Sequence, residues 1–243
     1  MSRPTKDLFK WRRYRGQLIL LCVRWYLAFT LSYRQLERML REQGWSVDHT
    51  SVFRWVQRYG PELAVRCRPF LKLTNRSYRT DETYIKVKGK DRYLYRAVDS
   101  TGQTIDFLLT AKRDKAAAKR FFQKALSSAS NPSPRVINVD KNAAYPAAFR
   151  ELKAEGGLSR RCRLRQCKFL NNMVEQDHRT LKRRVKLAMG YGSFRTAWRT
   201  IQGIEALHLI RKGRVRRVSK ENVVAQVRFL HQLFGLAEER SSL

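Results

Sequence analysis

Three carboxylates stand in segments of different periodicity, in a pattern typical of metal-dependent chemistry. Asp81 lies in an alternating, strand-like segment, Asp140 directly follows a short apolar strand, and Glu175 lies on a helix. Carboxylates that meet repel one another unless a divalent cation lies between them, and hard oxygen ligands suit Mg²⁺ or Mn²⁺. Two such ions, roughly 3.5–4 Å apart, would stabilise the attacking and leaving oxygens of a phosphodiester. We therefore expect these three residues to be catalytic and to bind two metal ions.

The segment around Glu175 has no Gly or Pro from Lys168 to Arg184, and it predicts a helix from about Asn172. At 100° per residue, one stripe of this helix is apolar and should be buried: Val174, Leu181 and Val185. A second stripe, roughly 100° round, carries Glu175, His178, Arg179 and Lys182. An anion could lie along this stripe beside the carboxylate. The alternative is an ordinary Glu–Arg surface pair one turn apart.

The charge of the chain predicts a nucleic acid partner. The 243 residues carry 52 Lys and Arg against 20 acidic residues, a formal charge of +32 spread along the whole length. A folded protein with this charge repels itself unless a polyanion accompanies it, and DNA phosphates are the natural counterpart. No basic amphipathic segment stands apart, no segment approaches membrane-spanning length, and nothing resembles a signal peptide. We expect no membrane association.

The four cysteines predict a reduced, cytoplasmic protein. Cys22, Cys67, Cys162 and Cys167 form no CxxC pair and have no His at zinc-finger spacing. The alternative is a zinc site formed by Cys162, Cys167 and His178. With DNA as the partner, we expect the protein at the bacterial nucleoid.

The first 61 residues predict a basic arm and a helix-turn-helix. Ser32 with Gln35 forms a capping box, Asp48 can cap the third helix, and Gly44 and Gly60-Pro61 should end the second and third helices. The first helix should bury a stripe of Leu18, Leu21, Cys22, Trp25 and Phe29. On the third helix, the side chains expected to face outward and bind DNA are Thr50, Arg54, Gln57 and Arg58, beside Phe53. The alternative is a plain three-helix bundle.

The remaining pattern predicts an α/β domain. Residues 62–76 read as a linker, and 77–190 follow the order βββαβαβα, which favours a mixed five-stranded sheet with flanking helices. If the first and fourth strands lie side by side in parallel, Asp81 and Asp140 are neighbours, and the helix after the fifth strand can bring Glu175 over them. Residues 191–243 read as a helical C-terminal region. Glu82 and Asp177 are expected to lie outside the site and to tolerate alanine.

Three blocks resemble the signatures of DDE insertion-sequence transposases: Asp81–Val87, Val139–Tyr145 and Asn171–Arg179. The 34 residues between Asp140 and Glu175, and Lys182 seven residues beyond, are similar to the DD(34)E pattern and basic position of the insertion-sequence-six family. The segment Ser46–Tyr59 resembles that family's helix-turn-helix block.

The resemblance implies a ribonuclease H-like core and Mg²⁺-dependent cleavage at terminal inverted repeats. Attack of the freed 3′-hydroxyl on target DNA would follow, typically by a copying route that makes cointegrates. It also implies that Lys182 holds a phosphate near the scissile bond, with Arg179 assisting. For His178, a site role and an ordinary hydrogen-bonded helix position both stay open. Because two DNA ends are handled together, a homodimer or larger assembly is expected.

Three other functions are alternatives to this one. A helix-turn-helix regulator without catalysis would leave the three carboxylates without a role. A tyrosine recombinase needs a nucleophilic Tyr among clustered Arg and His, and none of the ten tyrosines has that setting. A nuclease with a ribonuclease H-like fold would cut DNA without joining it.

Overall fold

In a computed structural model, the chain forms two compact units. The structure describes residues 8–10, 12–167, 172–187 and 190–236, without the side chains of 176, 177, 180, 184, 186 and 187. The described residues up to Leu71 and from Phe194 onward form unit 1, and Lys72–Ser193 form unit 2.

The element order agrees with the predicted sequence of helices and strands. The helices are α1 (Gly16–Ala28), α2 (Tyr33–Glu42), α3 (His49–Cys67), α4 (Lys115–Leu126), α5 (Ala144–Ala154), α6 (Asn172–Leu187), α7 (Phe194–Arg211) and α8 (Val223–Leu233). The strands are β1 (Ser77–Val87), β2 (Lys90–Asp99), β3 (Thr104–Thr110), β4 (Val136–Val139) and β5 (Arg163–Gln166).

The starts of α2 and α3 in unit 1 are set by side-chain caps. Ser32 Oγ accepts a hydrogen bond from the Gln35 backbone N–H, and Gln35 Oε1 accepts one from the Ser32 N–H. Asp48 Oδ1 accepts from the Thr50 N–H at 2.7 Å. Gly44, with φ of +77°, follows the end of α2. The capping box and the Asp48 cap are thus confirmed.

The prediction that Gly60-Pro61 ends α3 was wrong. The helix continues through Pro61 to Cys67, so the first residues of the predicted linker are helical. Gly60 serves a different purpose: it lies where α3 crosses α7, and a Cβ there would be 3.2 Å from the Arg199 carbonyl oxygen. The glycine permits close helix packing instead of stopping the helix.

The predicted buried face of α1 needs a similar correction. Its buried residues include Ile19, Val23 and Tyr26, whereas Phe29 follows the helix and is 49% exposed. Leu21 and Trp25 are only partly buried. The helix packs against α2, α3 and α7 together, so a wider surface is covered than one stripe predicts.

Residues 191–243 were predicted to form a C-terminal helical region of their own. Instead, the described residues 194–236 pack with the N-terminal helices in unit 1. α7 packs against α1 and α3, and α8 packs against α3 and α7. Arg66 Nη1 donates to the Leu233 carbonyl at 3.1 Å, and the rings of Tyr59 and Phe234 lie 6.0 Å apart. Unit 1 is therefore built from both ends of the chain.

Unit 2 contains one five-stranded sheet in the order β3-β2-β1-β4-β5. β1, β2 and β3 are antiparallel, whereas β4 runs parallel to β1 and to β5. One face packs on α4 and α5 around Tyr95, Phe121 and Tyr145, and α6 packs on β1 and β2. This is the predicted mixed sheet of the ribonuclease H-like fold. None of the described helices is both long and apolar enough to cross a membrane.

Candidate active site

The pairing of β1 with β4 determines where two of the three predicted carboxylates lie. Arg79 is opposite Asn138 in this parallel pair, so Asp81 and Asp140 follow at the same level, where β4 ends. One carboxylate oxygen from each of Asp81, Glu82 and Asp140 lies within 4.8 Å of the others. The sheet therefore brings together residues that are distant in sequence.

Glu175 lies on α6, the helix that packs on β1 and β2. Val174, Leu181 and Val185 are buried as predicted, and Glu175, Arg179 and Lys182 are exposed. One turn beyond Glu175, the buried His178 places Nδ1 3.7 Å from Asp81 Oδ2. Glu175 does not belong to the compact carboxylate set, but it acts electrostatically on Asp81. α6 thus lies on the Asp81 side of the sheet.

Asp81 has an unusual affinity for a proton. Burial, together with the neighbouring Glu82, Asp140 and Glu175 carboxylates, raises the pKa of Asp81 to about 7. Its side chain is 17% exposed. A carboxylate in this position gains strongly from a cation, because a cation offsets both the burial and the repulsion.

Glu82 lies in the cluster, contrary to the expectation that it lies outside the site. Adjacent residues of a strand point to opposite faces, so Asp81 faces α6 and Glu82 faces α5. The Glu82 side chain is 2% exposed. The Tyr145 hydroxyl donates to its Oε2, and Asn142 Nδ2 donates to its Oε1 at 3.3 Å. The side chain of Asp177 lies outside the described part of the chain.

Arg113 is a site residue that the sequence did not reveal. It directly precedes Asp114, the N-cap of α4, and its Nη2 forms an ion pair with Glu82 Oε1. The same nitrogen is 3.5 Å from Asp140 Oδ2. Asp140 Oδ1 in turn accepts from the Asn142 N–H at 3.0 Å. In the sequence, Arg113 is simply a basic residue that follows a predicted strand. Because the chain has 52 Lys and Arg, that position does not distinguish it from the others.

The donor set fits a divalent cation. Asp81 supplies a hard carboxylate oxygen from β1 and Asp140 supplies one directly after β4, and Asp81 is buried among like charges. Both Glu82 oxygens already accept hydrogen bonds from protein donors. Glu82 is therefore better suited to position Arg113 and Asn142 than to bind a metal ion. The alternative zinc site has no support: among the described residues, Cys162, Cys167 and His178 do not form a metal-binding group.

The third helix in unit 1 presents a basic concavity. Thr50, Arg54 and Arg58 are exposed, as predicted. A cavity of about 560 Å³ is lined by Arg12, Arg13, Tyr14, Ser46, Asp48, Ser51, Arg54, Trp55 and Arg58. Gln57 is different: it is buried, and its Nε2 donates to Thr200 Oγ1 of α7 at 2.8 Å. The prediction that Gln57 faces outward was wrong, because α7 covers that side of α3.

Comparison with known proteins identifies the family of the chain. A family model described as a DDE domain matches residues 75–214. The transposase for insertion sequence-like element IS431mec of Staphylococcus aureus is 38% identical over 206 residues, 85% of this chain and 89% of the relative. The transposase for insertion sequence element IS257 in transposon Tn4003, from the same species, is 37% identical with the same coverage.

Solved structures show weaker similarity. The catalytic core domain of HTLV-2 integrase, solved in complex with magnesium, has 20% identity and a TM-score of 0.36, over 45% of this chain and 69% of that one. The Mos1 strand transfer complex has 12% identity and a TM-score of 0.33, over 92% and 76%. The fold assignment rests instead on the strand order and directions. With the family model and the identities above, the chain belongs to the DDE insertion-sequence transposases of the insertion-sequence-six type.

Proposed function

We propose that this transposase cleaves the ends of its element and joins the freed 3′-hydroxyl to target DNA, using Asp81, Asp140 and Glu175 as catalytic residues. The observation that carries the proposal is the β1–β4 pairing, which sets Asp81 beside Asp140 below the helix of Glu175. Family membership supports the same assignment.

The three carboxylates would hold the metal ions, Mg²⁺ or Mn²⁺. Bound there, two ions would activate the attacking oxygen and offset the charge that develops on the phosphate. The chain itself contributes position: Asp81 and Asp140 are fixed by strands, and Glu175 by a helix with a buried apolar stripe. His178 contacts Asp81 from the same helix, which supports a positioning role for its ring.

Substrate DNA would be bound by residues of both units. In unit 1, Thr50, Arg54 and Arg58 line or flank the basic concavity and suit the edges and phosphates of an element end. In unit 2, Lys182 and Arg179 are exposed cations on the Glu175 helix and suit a phosphate near the scissile bond. A homodimer or larger assembly on DNA, acting at the nucleoid in the cytoplasm, fits a reaction that needs two DNA ends.

The test uses purified full-length protein, Mg²⁺, duplexes carrying the ends of its own element, and a plasmid target. Wild type should yield strands joined to the plasmid. Asp81→Asn, Asp140→Asn and Glu175→Gln should each lose cleavage and joining by at least about 10²-fold while end binding survives. Asp91→Asn is the matched control, because this exposed acid of the same sheet pairs with Lys86 away from the carboxylate cluster.

The outcomes separate the proposal from the alternatives. Joined products that depend on all three carboxylates support a transposase. Cleavage without joining would indicate a nuclease instead, and end binding with no cleavage by wild type would leave a DNA-binding regulator. A covalent protein–DNA adduct would contradict the carboxylate mechanism, because no protein side chain attacks the phosphate in it.

A further inference from the structure

Arg113 occupies a place between a buried anchor and solvent. Its Nη2 contacts Glu82 and lies 3.5 Å from Asp140, yet 34% of its side chain is exposed. No described residue accepts a hydrogen bond from its Nε or Nη1. One edge of the guanidinium is therefore held by the protein, while the other donors are available to a ligand.

The anchor of Arg113 is unusually well fixed. Glu82 has a 2%-exposed side chain, and Tyr145, which donates to it, is fully buried in the core between the sheet and α5. Asn142 adds a third donor, and its backbone N–H also binds Asp140. The three donors restrict the rotation of the Glu82 carboxylate. Because the carboxylate is fixed, it keeps the Arg113 guanidinium in one orientation.

From this geometry we propose that Arg113, positioned by Glu82, binds a phosphodiester of the DNA strand that enters the carboxylate site. The inference rests on the proposed function, because it takes DNA as the ligand. A planar guanidinium presents paired N–H donors that match two phosphate oxygens.

The charge of the site gives the same ligand class. Asp81, Glu82, Asp140 and Glu175 supply four carboxylates, and a DNA phosphate that approaches them meets repulsion until cations compensate. Arg113 is a permanent cation that the chain itself places at this edge. It can therefore orient the phosphate before and after each step, while Lys182 and Arg179 approach from α6.

The test measures the affinity of full-length protein for DNA against salt concentration, with Ca²⁺ in place of Mg²⁺. One duplex contains the element end through the cleavage site, and a shorter duplex stops before it. On the longer duplex, Arg113→Ala should reduce the slope of log K against log salt by about 0.9, the amount for one lost phosphate contact. On the shorter duplex, the variant should match wild type.

Matched variants separate a phosphate contact from a general loss of charge or of folding. Arg120→Ala removes an exposed arginine of α4, and it should leave the slope difference between the two duplexes unchanged. Arg113→Lys keeps the charge and tests the site if the alanine variant does not fold. The Arg113→Lys variant should keep the wild-type slope but lose cleavage about tenfold. An ammonium group keeps the charge but lacks the paired, planar N–H donors of a guanidinium. Glu82→Gln should also weaken binding to the longer duplex alone.

Two results would overturn the inference. One is an Arg113→Ala protein whose slopes on both duplexes equal those of Arg120→Ala. The other is an Arg113→Lys protein with wild-type cleavage and wild-type slopes, which would reduce Arg113 to a counter-charge for Glu82. The slopes need only DNA binding, whereas the comparison of cleavage requires an active wild type. If wild type itself neither cleaves nor joins, the proposed function fails, and that failure is recognisable without any variant.

Discussion

Gly60 of α3 and Gly203 of α7 face each other so closely that a Cβ on Gly203 would lie 2.8 Å from the Gly60 Cα. The same Cβ would be 2.9 Å from a methyl group of Leu27. α1, α3 and α7 therefore meet at a point where Gly203 has room for a hydrogen atom but not for a Cβ. This contact joins the N-terminal and C-terminal helices of unit 1.

The first prediction follows from that contact. Gly203→Ala should destabilise unit 1 by about 1–3 kcal/mol, because backbone atoms of α3 cannot move aside as a flexible side chain would. Urea denaturation followed by the fluorescence of Trp55 and its neighbours would measure the change. Gly192→Ala is the control, since a Cβ there meets nothing within 4 Å. Equal stability of the two variants would show that α3 and α7 do not pack this closely.

A second prediction concerns Gln57 and Thr200. Their buried side-chain hydrogen bond should show a coupling free energy of roughly 0.5–1.5 kcal/mol in a double-mutant cycle of Gln57→Ala and Thr200→Ala. Both single variants should discriminate element ends from random DNA as well as wild type does. Loss of discrimination in Gln57→Ala without loss of stability would return Gln57 to the DNA-binding surface.

The third prediction is the contrasting behaviour of Arg54. This side chain is exposed on α3, so Arg54→Ala should cost about 1–3 kcal/mol of discrimination between element ends and random DNA, with little change in stability. Arg58→Ala should weaken binding to both DNAs more equally if it contacts phosphate. Arg38→Ala is the charge-matched control, since Arg38 is an exposed partner of Glu42 on α2. An equal effect of Arg38→Ala would indicate nonspecific attraction.

The fourth prediction comes from the pKa of Asp81, about 7 in the folded protein against 3.8 for an ordinary aspartate. Because the folded state holds the proton more tightly, folding stability contributed by this group is present at low pH and is lost as pH rises from about 4 to about 7. In EDTA, Asp81→Asn should therefore be more stable than wild type at pH 8, by a few kcal/mol at most, and nearly equal at pH 4. Thermal unfolding at both pH values measures the difference. A constant difference across that range would contradict the raised pKa.

The sequence was sufficient wherever a local pattern decides the structure. The alternating residues of β1 to β3 and the short apolar run before Asp140 predict the strands, and Ser32 and Asp48 predict two helix starts. The predicted parallel neighbour of β1 is β4, the strand directly before Asp140. Periodicity alone therefore places Asp81 within a predicted strand and Asp140 directly after one.

The errors arose where a distant part of the chain decides the environment. Helical period predicts that Gln57 lies on the DNA-binding face, but its hydrogen-bond partner Thr200 lies 143 residues away on α7. Gly60-Pro61 predicts a helix end, whereas the contact that explains Gly60, with Gly203, is equally remote in sequence. Glu82 is predicted to lie outside the site, although strand alternation directs it towards Tyr145 and Arg113. Local patterns do not contain these contacts.

The construction of unit 1 from both ends of the chain has a consequence for synthesis on the ribosome. The sheet of unit 2 is complete before Phe194 is translated, whereas α1 and α3 must wait for α7 and α8 to cover them. A nascent or truncated chain would thus display a finished catalytic sheet and unfinished N-terminal helices, with Leu27 and Gly60 lacking their packing partner. If unit 1 recognises the element's ends as proposed, that recognition requires α7 and α8 to have emerged from the ribosome, so translation itself delays it.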